Sequence, residues 1–184
     1  MAAGPDFLCV GLQKAGTQWL FDQLQLHPGF WMPPVKELHY FDRPYRVVSD
    51  RIEPYLADPE AANAARRRQD FRPLDERDVR FFRRYETLEQ DWGDVERYAA
   101  LFEPKGALLS GDVTPAYCVL AEATIAAIAE RYPSLRVVVM LRDPVERAAS
   151  QMWSLVCRRK APRAIVETAS DLSAFLREDL MDSR

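Results

Sequence analysis

The sequence predicts an α/β protein, built as a three-layer α/β/α fold with a central parallel sheet. Short apolar runs alternate with helix-like segments along the chain, and a glycine-bracketed loop joins the first run to the first helix. A continuous β-favouring run at residues 136–141 is typical of a strand covered on both faces. Strands that alternate with helices imply parallel pairing through right-handed crossovers. Since ligands bind such sheets beyond the carboxyl ends of the strands, we expect the functional site there.

The first predicted unit is a strand, a loop and a helix. Residues 6–11 are a short apolar run that enters the glycine loop, and residues 17–27 carry apolar side chains at helical spacing. A proline-glycine pair at 28–29 ends this helix, and residues 30–32 predict a second short strand. Two prolines at 33–34 then form a stiff turn.

The middle of the chain is polar and predicts an insertion. Residues 43–105 are rich in Arg, Asp and Glu, with helix-like stretches at 59–68 and 94–102. We expect one domain over residues 1–184 that contains this helical or loop insertion, because 184 residues with 48% hydrophobic content suffice for one core.

The alternation of strand and helix resumes after the insertion. Residues 107–111 predict a strand, and Thr114 and Pro115 begin a turn before an alanine-rich helix at 120–132. The run at 136–141 described above follows. Asp143-Pro144 then predicts the start of another helix, with aspartate as the N-cap and proline at the first helical position.

Composition and charge exclude several classes of protein. A net charge of -3 gives no overall attraction to a polyanion, so no nucleic-acid partner is expected. Three widely spaced cysteines indicate neither a disulfide framework nor a metal centre. No apolar run reaches the length of about 18 residues that a membrane span needs, and the N-terminus lacks the features of a signal peptide. We therefore expect a cytoplasmic protein.

Residues 10–20, VGLQKAGTQWL, match a phosphate loop whose lysine is displaced. The loop of an NTPase reads G-x-x-x-x-G-K-[ST], in which the lysine reaches the outer phosphates and the last hydroxyl binds Mg²⁺. Here Thr17 occupies the lysine position, Gln18 replaces the metal-binding hydroxyl, and the cation is Lys14. The loop therefore predicts a P-loop-containing fold that binds a phosphate-like group without a metal. The alternative is a tight turn with an exposed lysine.

Residues 141–150 form a second candidate anion site, where a strand meets a helix. Arg142 at the strand end can bind a phosphate through two N–H groups, and Ser150 offers a hydroxyl about two helical turns further on. The alternative makes Asp143 a helix cap, pairs Arg142 with Glu146 on the surface, and leaves Ser150 without a function.

Together, the two blocks resemble the sulfotransferases that use 3′-phosphoadenosine 5′-phosphosulfate (PAPS). Residues 10–20 look like the 5′-phosphosulfate loop of that family, and residues 138–150 look like its 3′-phosphate-binding strand and helix. The resemblance implies PAPS as co-substrate, 3′-phosphoadenosine 5′-phosphate (PAP) as product and no required metal. The donor-binding residues that it implies are Lys14, Ala15, Gly16, Thr17, Gln18, Trp19, Arg142 and Ser150.

A third block, KELHYFD at residues 36–42, resembles the segment in which the carbohydrate and heparan-sulfate-type branch of the family places its catalytic base. By this resemblance Glu37 takes the acceptor proton, while Lys14 stabilises the charge of the transferring group. The alternative for Glu37 is a solvated carboxylate. His39 is a further catalytic candidate, with a hydrogen-bonded packing role as its alternative.

The block GDVTPAY at residues 111–117 resembles a fourth family segment, but with a departure. The heparan-sulfate enzymes commonly have lysine before Thr-Pro, whereas this chain has Val113. The missing cation argues against a heparan-type acceptor and leaves a small molecule or another carbohydrate, which would accept the sulfuryl group on a hydroxyl or an amine. Asp112 and Tyr117 either line the acceptor site or belong to a turn.

Two other functions stay open at this level. A P-loop kinase or NTPase would place lysine at position 17 and a hydroxyl at position 18, and this chain does neither. The other alternative is a non-catalytic nucleotide-binding module derived from a sulfotransferase. Family members usually continue beyond the position of Arg184 with a closing loop, whereas residues 158–160 are a basic cluster without glycine and residues 171–181 predict an amphipathic helix. An incomplete sheet with an uncovered edge would favour a homo-oligomer.

Overall fold

The computed structural model describes residues 4–47, 52–67 and 72–158. The chain divides into two compact units, residues 1–142 and residues 143–184, and each is described by itself. Among the described residues, the strands of the first unit are β1 (Phe7–Cys9), β2 (Gly111–Val113) and β3 (Arg136–Val138). Its α-helices are α1 (Thr17–Leu26), α2 (Glu53–Ala57), α3 (Pro59–Arg67), α4 (Glu76–Thr87), α5 (Val95–Tyr98) and α6 (Glu122–Arg131). Two 3₁₀ helices span Ala99–Lys105 and Pro115–Val119.

The three strands form one parallel sheet in the order β2-β1-β3. Leu8 on the central strand lies opposite Asp112 on one side and Val137 on the other. Helices connect the parallel strands, which confirms the predicted α/β class with a parallel sheet. The predicted second strand at residues 30–32 is only an isolated bridge between Phe30 and Leu109.

The middle of the chain contains helices and supplies much of the core. Helix α4, which the sequence analysis did not identify, begins with a capping box in which Asp75 and Asp78 each accept a hydrogen bond from the backbone of the other. Aromatic side chains from residues 81–102 pack against Leu8 and Tyr40 in one buried cluster. Members of that cluster from the middle of the chain include Phe81, Phe82, Tyr85, Tyr98 and Phe102.

A buried ion pair joins the start of α4 to the segment of the isolated bridge. Both nitrogens of the Arg72 fork bind the Asp78 carboxylate, at 2.7 and 2.6 Å. The Trp31 indole N–H donates to the same carboxylate at 3.3 Å, and Asp78 is fully buried. Since removing one partner of such a pair leaves an uncompensated buried charge, the contact fixes how the middle of the chain meets residues 30–32.

Strand β3 is more exposed than its sequence predicts. The expectation that residues 136–141 are covered on both faces is wrong, because Val137 is 63% exposed, Val139 is 52% exposed and Leu141 is 77% exposed. The strand order explains this exposure: β3 stands at one end of the sheet described here and has β1 as its strand neighbour. An apolar strand at this position leaves an uncovered edge.

The described part of the second unit is helix α7 (Pro144–Arg158). The Asp143 carboxylate accepts from the backbone N–H groups of Val145 and Glu146 at 2.9 and 3.0 Å. This confirms the predicted N-cap and the proline at the first helical position. The basic cluster at 158–160 extends past the described residues, and the helix predicted at 171–181 lies outside them. None of the helices described here is long and apolar enough to cross a membrane.

Candidate active site

The phosphate loop connects β1 to α1 and leaves the start of the helix open. Gly16, the N-cap of α1, adopts a left-handed conformation with φ of 99°, and Lys14 has φ of 64°. No side chain caps α1, and its first turn contains no acidic residue. The first backbone N–H groups of the helix and its dipole therefore favour an anion at this point.

The side chains of this loop differ in how far they can reach a ligand. Ala15 and Thr17 are buried, Lys14 is half-buried, and Trp19 is 62% exposed on the first turn of α1. Gln18 donates a hydrogen bond to Asp22, one helical turn further on, at 2.8 Å. The free charge and the exposed ring that a nucleotide would contact in this loop thus come from Lys14 and Trp19.

Gly11 lets the phosphate loop pass close to the turn that follows β2. Its φ of 139° is one that side-chain-bearing residues rarely adopt, and a Cβ there would lie 3.2 Å from the Pro115 carbonyl oxygen. On the strands themselves, the Thr114 N–H donates to the Cys9 carbonyl at 3.1 Å. The blocks at 10–20 and 111–117, which are far apart in sequence, therefore adjoin at the carboxyl ends of β1 and β2.

Arg142 contacts the phosphate loop from the β3 side. Its Nη1 donates to the backbone carbonyl of Lys14 at 3.3 Å. The two blocks that carry the resemblance thus meet through the residues expected to bind opposite ends of the donor. Ser150, the other residue expected to bind the 3′-phosphate, lies on α7 in the second unit.

Three residues hold backbone conformations that usually require glycine. Lys14, Glu37 and His39 have φ of 64°, 57° and 55°, and they are the non-glycine residues with positive φ in the described part of the chain. A side chain in this region costs about 1–2 kcal/mol, and such strain is concentrated at active sites and ligand clamps. These three residues are also the three catalytic candidates from the sequence.

In segment 36–42, four ionisable side chains lie next to one another in the order Lys36, Glu37, His39 and Asp42. Glu37 contacts the Lys36 ammonium through Oε1 at 2.5 Å, and its Oε2 lies 3.6 Å from His39 Nε2. On the other side of the imidazole, His39 Nδ1 lies 2.8 Å from Asp42 Oδ2. The Glu37 side chain is 41% exposed while that of His39 is 6% exposed, so Glu37 is the end of this line that an acceptor can reach.

Asp42 is the residue of this line that the sequence analysis did not single out. Its contact with Nδ1 assigns the proton of a neutral His39 ring to that nitrogen, because a carboxylate can only accept. His39 Nε2 is then turned toward Glu37, at a distance too long for a hydrogen bond. In the sequence, the signal for this contact was the three-residue spacing between His39 and Asp42.

Asp112 and Tyr117 lie beneath this segment and do not line an open site. They are 2% and 3% exposed, which favours the alternative in which they belong to a turn over the one in which they line an acceptor site. The Asp112 carboxylate accepts from the hydroxyls of Tyr98, Tyr117 and Thr114 at 2.8, 2.9 and 2.7 Å. Burial raises the pKa of Asp112 above its usual range, and these donors offset part of that rise. The block at 111–117 is therefore a buried, hydrogen-bonded turn.

Comparison with known proteins gives the fold and the family of this chain. The crystal structure of a sulfotransferase from Alicyclobacillus acidocaldarius is similar in fold, with a TM-score of 0.50 and 21% sequence identity. The similarity covers 94% of this chain and 60% of that one, so this chain spans about 60% of that protein's length. No curated protein matches the sequence. The model of the sulfotransferase family matches residues 5–182, and the chain therefore belongs to the sulfotransferase family.

Proposed function

We propose that this protein transfers a sulfuryl group from PAPS to a hydroxyl or amine of a small-molecule or carbohydrate acceptor. The observation that carries the proposal is that the residues with a strained backbone are the same residues that are the catalytic candidates. Lys14, Glu37 and His39, the strained residues of the described chain, carry the cation, the carboxylate and the imidazole that such a transfer needs.

The phosphate loop fits a phosphosulfate group. The uncapped start of α1 presents backbone N–H donors, and the loop contains a lysine without the hydroxyl that would hold Mg²⁺ in an NTPase. PAPS supplies an activated sulfuryl group and a good leaving group. Lys14 and the loop amides would stabilise the negative charge that develops on the transferring group and on the departing phosphate oxygen. No metal is required in this scheme.

The far end of the donor would be bound from the β3 side. Arg142 already lies against the loop, and an arginine guanidinium is a group that binds phosphate through paired N–H groups. The family resemblance also assigns the Ser150 hydroxyl to this phosphate, and Trp19 would supply an aromatic surface near the loop. A donor with a phosphate at each end of one nucleoside would account for two separate candidate anion sites in the sequence.

Glu37 would act as the base that activates the acceptor. As the acceptor oxygen or nitrogen attacks sulfur, the bond from sulfur to the leaving phosphate oxygen breaks and the acceptor proton passes to the Glu37 carboxylate. The Lys36 ammonium holds that carboxylate in place, and the imidazole of His39, which Asp42 orients, lies beside it. Its partial exposure leaves room for an acceptor.

Calorimetry with PAP, and with ATP plus Mg²⁺, tests the donor assignment. We expect clear preference for PAP, whereas preference for ATP with Mg²⁺ would support a P-loop kinase or NTPase. Incubation with PAPS and a panel of alcohol, phenol, amine and sugar acceptors then tests the transfer. Tight PAP binding without turnover on that panel would point to the non-catalytic module instead.

Lys14→Ala tests the mechanism. We expect its transfer rate to fall roughly 10²–10³-fold, the usual cost of removing one donor to a developing anion. Arg80→Ala, which removes an exposed cation from α4, is the matched control and should behave like the unaltered protein. Near-normal turnover of Lys14→Ala would overturn the assignment.

A further inference from the structure

The backbone that follows His39 is held through one buried carboxylate. The Tyr40 N–H donates to the Tyr117 hydroxyl at 2.9 Å, and that hydroxyl donates in turn to Asp112 at 2.9 Å. The backbone of Leu38, before His39, stabilises the ionised form of the same carboxylate and lowers its pKa. The backbone on both sides of His39 thus interacts with a single side chain of the sheet.

The Asp112 carboxylate is buried and is largely occupied by donors from the protein. It is 2% exposed, and three of the roughly four acceptor positions of a carboxylate are filled. The three donors are the hydroxyls of Tyr98, Thr114 and Tyr117. Burial also raises the pKa of Tyr98 and Tyr117 well above its ordinary value, so both phenols keep the protons that they donate. Any effect of Asp112 on the reaction therefore passes through the residues that it holds.

Segment 36–42 needs such an anchor because of its backbone. Glu37 and His39 both have positive φ, and neither is a glycine, so the segment would relax to an ordinary conformation if its surroundings permitted it. Relaxation at these positions would turn both side chains away from their present directions. The hydrogen bond from the Tyr40 N–H to the Tyr117 hydroxyl opposes that change.

We infer that Asp112 is a positioning residue, which acts through Leu38 and Tyr117 to keep Glu37 and His39 in the conformation that presents them to the acceptor. The inference rests on the proposed function, because Glu37 and His39 are the groups that it positions. Asp112 itself touches no substrate.

A matched pair of tyrosine variants isolates this role. Tyr98→Phe and Tyr117→Phe each remove one buried hydroxyl that donates to the same oxygen of Asp112, at 2.8 and 2.9 Å. Of the two hydroxyls, only that of Tyr117 also accepts from the backbone of segment 36–42. A role in general stability predicts similar effects for the two variants, whereas a positioning role predicts different ones.

The first readout is hydrogen exchange of the amides in segment 36–42. For Tyr117→Phe we expect exchange at Tyr40 to accelerate about tenfold or more, with little change for Tyr98→Phe. In Asp112→Asn the Leu38 amide should lose protection in the same way. If Asp112→Asn does not fold, the tyrosine pair decides the question. Equal protection of the Tyr40 amide in Tyr98→Phe and Tyr117→Phe would overturn the inference.

The second readout is steady-state transfer from PAPS to an acceptor that the unaltered protein uses. We expect kcat to fall roughly ten- to a hundredfold in Tyr117→Phe while the Kd for PAP changes less than about twofold, because the donor site is not altered. Tyr98→Phe should keep kcat within about threefold. Equal kcat losses in the two variants, or a loss of PAP affinity that accounts for the effect, would overturn the inference.

These readouts separate failure of this inference from failure of the proposed function. Hydrogen exchange needs neither PAPS nor an acceptor, so it reports the anchoring of segment 36–42 in any case. If the two tyrosine variants differ in hydrogen exchange as expected but the protein does not turn over PAPS, the proposed function alone is contradicted. Active protein with identical tyrosine variants would contradict the positioning role alone.

Discussion

The central strand β1 has two different sides. On one side, β2 is buried throughout, and its Asp112 accepts hydrogen bonds from Tyr98 and Tyr117 of the main aromatic cluster. On the other side, β3 presents Val137, Val139 and Leu141 largely to solvent. Each side contributes one part of the candidate site: the β2 side fixes segment 36–42 through Asp112, and the β3 side brings Arg142 to the phosphate loop.

The comparison suggests that the two sides of β1 serve two different tasks in the proposed reaction, proton transfer and donor binding. Proton transfer needs a base held to within a fraction of an ångström, and the β2 side supplies the buried hydrogen bonds for that. Binding a nucleotide phosphate tolerates exposed, movable cations, since much of the attraction comes from charge. We therefore expect changes on the β2 side to affect kcat and stability, and changes on the β3 side to affect donor affinity.

Glu37→Gln should produce the largest change on the β2 side. The amide keeps the size of the side chain but cannot take the acceptor proton, so we expect kcat to fall roughly 10²–10⁴-fold. The affinity for PAP, measured by calorimetry, should stay the same. Weakened PAP binding without a kcat effect would show that Glu37 positions the donor and is not the base.

Phe81→Ala and Leu141→Ala compare the stability of the two sides directly. Phe81 is fully buried in the aromatic cluster, so its truncation should lower the free energy of unfolding by about 3–5 kcal/mol. Leu141 is 77% exposed, and its truncation should change that free energy by less than about 0.5 kcal/mol. Urea unfolding of both variants makes the measurement. A large loss for Leu141→Ala would mean that its side chain is covered in solution.

Arg142→Ala should weaken the binding of PAP roughly ten- to a hundredfold, because it removes charge-assisted hydrogen bonds to phosphate. At saturating donor, kcat should change little. Arg142→Lys is the matched control: it keeps the charge but loses the planar fork, so affinity should recover only in part. An unchanged Kd for PAP in Arg142→Ala would remove this residue from the donor site.

Raising the pH into the alkaline range should gradually lower the free energy of unfolding through the buried tyrosines on the β2 side. Burial raises the pKa of Tyr40, Tyr98 and Tyr117 in the folded protein, whereas the same phenols ionise near pH 10, at about their ordinary pKa, in the unfolded chain. Their contribution to stability is therefore complete below about pH 10 and is lost as pH rises toward the folded-state pKa values. Urea unfolding across this range, combined with phenolate absorbance, measures the loss. Ionisation of these tyrosines near pH 10 in the folded protein would contradict the prediction.

Features that depend on neighbouring residues were predictable from the sequence. The displaced lysine of the phosphate loop, the helix after it and the Asp143 cap of α7 all follow from contiguous residue types. The family resemblance, carried by blocks at 10–20 and 138–150, is confirmed by the family match over residues 5–182. The roles of the individual site residues remain predictions.

Features that depend on distant contacts were not predictable in the same way. The sequence predicts a strand at residues 30–32, which make only one bridge. For Asp112 the sequence left open an acceptor site or a turn, and its burial favours the turn. The bond between Tyr40 and Tyr117 joins residues that are 77 positions apart. Hydropathy over a short window contains no information about such a partner.

By itself, the sequence determined the α/β class, the phosphate loop and the family, because each depends on short-range patterns of residue type. Only the tertiary structure decided which side of β1 is buried and that Asp42 and Asp112 belong to the candidate site. Burial and backbone strain arise where segments distant in sequence meet, and the energy that holds Glu37 and His39 in a left-handed conformation comes from those contacts.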